Sequence, residues 1–177
     1  DLITQRRETE AVEFLQQADH EHPDPVEILY ALGEAQWHDQ QLEAGATTLE
    51  RAFMLDPRWE MALHHVVELR LTRGETARLV PIANKLRPID PANAATLDCK
   101  IAVGERRYAD AVAGAQRALG SLEKIPELYI CLAQAQALAG DLDGGEQTAK
   151  KAFDLWPIDM REWGGFAQYA EFFLYRG

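Results

Sequence analysis

Cations, aromatic rings, cysteines and long apolar runs are all scarce in this 177-residue chain, and each shortage closes off a class of function. Lysine and arginine total 18 against 29 aspartates and glutamates, a formal net charge of −11. Proteins grip phosphate backbones by neutralising them with cations, so nucleic acid is not expected as a partner. No stretch of about 18 apolar residues occurs, which argues against direct membrane insertion as a spanning helix. Neither a basic-then-apolar leader nor a lipidation signal is visible, so a cytoplasmic location is expected; the alternative is a periplasmic or membrane-associated place conferred by other parts of a parent chain. Cys99 and Cys131 are too few to read as a disulfide framework. Both fall in helical apolar patterns and are expected as buried, reduced thiols.

What the chain does have is a repeat. Pro23, Pro57 and Pro91 recur every 34 residues, and Pro157 follows 66 residues later. Aligning residues 26–59 with 126–159 pairs Leu32 with Leu132, Gly45 with Gly145, Phe53 with Phe153 and Pro57 with Pro157. The chain between them divides into 60–93 and a shorter 94–125, whose two missing residues are placed in the turn around Gly104. Apolar residues make up 47% of the chain but aromatics only 8%, a mixture that suits stacked helices whose small side chains permit close approach. Leu29, Leu32, Gly33 and Gln36 form one helical stripe, and Ala44, Thr48, Leu49 and Ala52 form another. Ala52 and Ala152 are expected at helix crossings.

This pattern resembles the tetratricopeptide repeat (TPR) family, a 34-residue helix-turn-helix. Leu29, Leu32, Gly33, Gln36, Gly45, Leu49, Ala52 and Pro57 occupy the family's small, apolar and proline positions, and the resemblance covers essentially the whole chain. It implies an all-α right-handed superhelix, a solenoid, with repeats at 26–59, 60–93, 94–125 and 126–159. Residues 1–25 read as a half repeat or N-terminal cap, with a second helix over 6–19. Residues 160–177 read as a half repeat or C-terminal helix, in which Trp163, Phe166, Ala167 and Ala170 fit a further first helix. Continuation into a longer chain, or covering by another subunit, is expected, because Phe172, Phe173 and Tyr175 would make a poor outer surface. The same three residues are candidates for self-association into a homo-oligomer. Pro81 falls inside the second helix of 60–93 and should either kink that helix or delay its start.

By resemblance, first helices line a concave face that holds a peptide or a helix. The positions carried over are Glu27, Tyr30, Glu34, Trp37 and His38 from the first repeat, then Met61, His64, Glu68 and Leu71 from the second. Asp98 comes from the third, and Glu127, Ile130 and Gln134 come from the fourth. Such a face is acidic with aromatic and aliphatic patches, and suits a basic or amphipathic peptide or helix: carboxylates orient it while rings supply apolar area. Trp37 has a second reading, packing against the preceding half repeat. Capture of an acidic chaperone tail is disfavoured, because none of the five residues used by the family for that purpose is matched and Glu34 would repel the ligand.

No catalytic residues, no cofactor and no metal site are read from the sequence. His20-Glu21-His22 reads as a solvated linker, and adjacent His64 and His65 do not form the i,i+4 pair of a helical zinc site. A protein–protein interaction module or scaffold is the expected function. The alternative is a structural or regulatory TPR segment of a larger enzyme such as a transferase, or of a secretion or polysaccharide-export assembly.

Overall fold

The computed structural model describes residues 7–59, 63–122 and 124–156. Within them the secondary structure is helical: α1 (Glu8–Glu21), α2 (Val26–His38), α3 (Leu42–Leu55), α4 (Leu63–Thr72), α5 (Val80–Leu86), α6 (Pro91–Gly104), α7 (Tyr108–Leu119), α8 (Pro126–Leu138) and α9 (Leu142–Leu155). The chain divides into two compact units, Asp1–Glu75 and Thr76–Gly177.

Local chemistry sets the helix ends. Pro91 and Pro126 lie in the first turns of α6 and α8, where a missing N–H removes no helical bond. The Asp90 carboxylate accepts hydrogen bonds from the amides of Ala92 and Asn93, and Asp141 accepts one from Gly144. These caps satisfy N–H groups that the helix itself leaves without acceptors.

The same turn ends α2, α4, α6 and α8. Each contains a left-handed residue, Gln40, Gly74, Arg106 or Gly140, with φ of 63°, 70°, 60° and 98°. In each, the next amide reaches back across the turn, Gln41 to the carbonyl of Gln36, Glu75 to Arg70, Arg107 to Ala102 and Asp141 to Gln136. The last carbonyls of each first helix are thereby satisfied while the chain reverses into the second.

These turns relocate the two residues missing from the third repeat. The turn at Arg106 is complete, so the shortfall expected near Gly104 is not there. Counting from the turns, the left-handed residues stand 34, 32 and 34 positions apart, and the short interval contains the junction where α6 starts at Pro91 itself. Pro91 therefore serves as a helix opener rather than as a mark ahead of it.

In Asp1–Glu75, Ala11 and Val12 of α1 pack on Leu32 and Ala35 of α2, with Leu15 beside them. The α2–α3 crossing is closer still. A Cβ on Gly45 would lie 2.9 Å from both the Gly33 carbonyl oxygen and the Trp37 nitrogen, so only glycine fits. Ala52 beyond it is fully buried, as a crossing residue should be.

In Thr76–Gly177, Ala102, Ala111, Ala115 and Ala135 join Leu128 and Leu132 in one core. Cys99 and Cys131 lie in that core and are bonded to each other, with their Cα atoms 6.3 Å apart. The expectation of two reduced thiols is thus corrected. Both residues are buried, but α6 and α8 are the first helices of successive repeats and pack directly together, which brings the two sulfurs within bonding reach. Pro81 delays its helix instead of kinking it: a 3₁₀ turn, Thr76–Arg78, precedes α5, and Pro81 sits in the first turn. Trp163, Phe166 and the aromatic cluster at Phe172, Phe173 and Tyr175 lie outside the described residues, as does Met61.

Candidate functional site

Glu27, Tyr30, Glu34 and Trp37 follow one another at three or four residues along α2, and His38 stands four from Glu34, so a 3.6-residue period sets them on one face. That face meets α4 through rings. Trp37 stacks on His65 with centroids 4.3 Å apart and planes 17° off parallel. His38 and His64 approach the same imidazole edge-on, at 6.2 and 5.4 Å. Trp37 therefore packs forward onto the next repeat, while Tyr30 packs on Trp59 at 5.1 Å. Adjacency does not hold His64 and His65 apart.

Glu34 sits between the two aromatic residues of α2, its Oε2 3.7 Å from His65 Nε2. Burial, and then the Glu34 charge, raise the Tyr30 phenol above its usual value. Burial lowers the His65 imidazole, against the opposing pull of Glu34. Glu27 and Glu68 are exposed, and Leu71 is half-buried. Among the described residues no lysine or arginine pairs with Glu27, Glu34 or Glu68.

Other faces of the same unit are neutralised. Arg51 pairs with Asp19 and Asp24, and Arg58 pairs with Asp56. Arg70, whose side chain is 0% exposed, donates to Glu43, Glu50 and Glu75 at 2.7–2.9 Å, and Arg73 also pairs with Glu43. Burial pulls the Arg70 guanidinium down, but its bonds to Glu43 and Glu50 carry it above the ordinary value. Sequence reading missed this network, whose members converge from α3, α4 and the turn after α4.

The second unit carries a different surface. Glu34, Glu68 and Gln134 each stand six residues before their left-handed turn residue, and by that count the equivalent in α6 is Lys100. Burial lowers the Lys100 ammonium, partly offset by Glu127. Asp98 pairs with Arg87 at 2.7 Å and lines a cleft of about 500 Å³ together with Arg107, Asp110 and Arg117. Glu127 is exposed and Gln134 half-buried. Ile130 is buried against Ala152 and Trp156.

Helix pairs in register, joined by one recurring turn, match solved repeat structures. Residues 41 to the end of MamA from Desulfovibrio magneticus RS-1 superpose with a TM-score of 0.64 at 17% identity, over 87% of this chain and 88% of that one. A thermophilic TPR protein of Thermus thermophilus gives 0.63 at 19% identity, over 98% and 94%. The fold is a TPR-type solenoid. A further MamA structure gives 0.65 at 15% identity, over 87% and 91%. No protein-family model matches the sequence, and no curated protein does. Stacked repeats of this kind expose long, extended surfaces. Among the described residues no helix is long and apolar enough to cross a membrane.

Proposed function

We propose that this segment is a protein-interaction module whose α2–α4 face takes a basic or amphipathic segment. The observation that carries the reading is selective neutralisation: Glu27, Glu34 and Glu68 have no lysine or arginine partner among the described residues, whereas Glu43 and Glu50 beside them are tied to Arg70. Carboxylates left free next to half-buried Tyr30 and Trp37 attract a cationic chain and offer it rings for apolar and cation–π contact. In the second unit the equivalent position of α6 carries Lys100, so the basic part of the partner belongs over α2 and α4.

The test uses a lysine- and leucine-rich amphipathic peptide and its glutamate counterpart, titrated by fluorescence anisotropy at several salt concentrations. The basic peptide should bind at least about tenfold tighter. Glu34→Lys with Glu68→Lys should weaken it and flatten the salt dependence, whereas Trp37→Ala should weaken it with the salt slope kept. Equal binding of the two peptides would remove the proposal. Self-association through Phe172, Phe173 and Tyr175 is a separate proposal, checked by sedimentation against Phe172→Ser/Phe173→Ser. The Cys99–Cys131 bond supports an oxidising compartment over the cytosol, where thiols are kept reduced.

A further inference from the structure

The imidazole and carboxylate groups of the α2–α4 face do more than make it acidic. Glu34 and His38 are four apart on α2, and His64 and Glu68 are four apart on α4, so each helix offers a Glu/His pair on a single face. His65 lies between the pairs. Ligand atoms of Glu34, His38 and His65 all lie within 4.8 Å of one another. Those of His64, His65 and Glu68 do the same.

His65 turns Nε2 to the Glu34 carboxylate at 3.7 Å, while its Nδ1 is buried without a hydrogen-bond partner, so Nε2 is the nitrogen offered to a ligand here. Trp37 fixes the ring plane by stacking, which pre-orders the imidazole.

We infer that Glu34, His38 and His65 form a binding site for a borderline divalent metal ion of the zinc type, bridging the first helices of two successive repeats. Two imidazoles and one carboxylate are the donor set that such ions favour over calcium or magnesium, which take oxygen. Bonds of about 2.0–2.1 Å put tetrahedral ligands roughly 3.3 Å apart. The exposed His38 closes the difference from 4.8 Å by changing rotamer, and water supplies the fourth ligand. The cross-helix set is preferred to His64–His65–Glu68 because it already places a half-buried carboxylate against a half-buried imidazole. Metal binding needs no peptide, so it stands or falls apart from the peptide-binding reading.

The test titrates untagged protein with Zn²⁺ by calorimetry, and with Co²⁺ by its visible absorption and by quenching of Trp37, which lies against His65. One ion per chain is expected, with Co²⁺ absorption of tetrahedral intensity and fluorescence loss that a Trp37→Phe variant reduces. His38→Gln removes an exposed ligand, so melting in chelator should stay unchanged while Zn²⁺ affinity falls at least about tenfold. His65→Gln should fall as far. His20→Gln/His22→Gln should bind as the parent does. The inference is overturned if no stoichiometric ion binds, if His38→Gln binds as tightly as the parent, or if His64→Gln/Glu68→Gln loses the site instead.

Discussion

Up to Glu75 the helices are tied together by charge and rings: Arg70 joins α4 to α3 through Glu43 and Glu50, and Trp37 joins α2 to α4 by stacking on His65. From Thr76 onward the buried ties are apolar contacts rich in alanine and a covalent bond, with Cys99 and Cys131 joining α6 to α8, and the Arg87–Asp98 pair lies exposed. The repeat dictates where helices meet but leaves the chemistry of the meeting open. A charged tie demands that every member be present, since losing one partner leaves a buried charge uncompensated. A covalent tie tolerates its surroundings and depends instead on redox conditions.

The largest expected effect tests the charged tie. Arg70→Ala leaves Glu43, Glu50 and Glu75 without their shared cation and should cost about 3–5 kcal/mol in urea unfolding, whereas Arg70→Met should cost much less because it restores packing. Equal losses in the two variants would show that the side chain's volume contributes nothing beyond its charge. The covalent tie comes next. Cys99→Ser/Cys131→Ser should cost about 3 kcal/mol, read as lost amide-exchange protection in α6–α8 while α2 and α3 keep theirs.

Close packing is contrasted by adding carbon to each unit. Gly45→Ala puts a methyl against backbone atoms at 2.9 Å and should cost about 1–3 kcal/mol, because neither neighbour can yield. Ala152→Leu adds more volume at a fully buried position and should cost a similar amount, but its neighbours Ile130 and Trp156 are side chains that can shift. Thermal melts that rank Ala152→Leu far above Gly45→Ala would reverse the order of rigidity between the two crossings.

Lys100 gives the smallest change, and its sign follows from linkage. The folded state holds its ammonium below the ordinary value of 10.5, chiefly through burial, so the unfolded chain binds the proton more tightly. Stability should rise with pH between the lowered value and 10.5, and the cost of the buried charge is fully present below that window. Lys100→Met should flatten this rise and stabilise the protein slightly near neutrality. An unchanged pH profile would mean that Glu127 compensates the burial completely.

Proline spacing and small residues such as Gly45, Ala52 and Ala152 made the helix pairs legible, because both features act within one repeat. Features that depend on two repeats were harder to read. Placing the missing residues at Gly104 set Asp98 in line with Tyr30 and His64 and put Ala102, not Lys100, in line with Glu34 and Glu68; the recurring turn hydrogen bonds reveal the shift. Arg70 reads as an ordinary surface cation until α3 brings Glu43 and Glu50 beside it. At the candidate site, attention to the adjacent His64 and His65 obscured the two four-residue spacings, Glu34 to His38 and His64 to Glu68, that were present in the sequence throughout.

The bond between Cys99 and Cys131 also changes the chain from a line to a line with a ring in it. The ring contains the end of α6, all of α7 and the start of α8. Exposed Arg106 and Lys124, both at positive φ, are natural places for trypsin to cut, and both lie inside the ring. A single cut at either leaves every atom in one covalent molecule, heavier by one water, which only a reductant separates into two pieces. A cut at Arg73, outside the ring, releases two fragments at once. The second unit thus survives a nick that would sever the first.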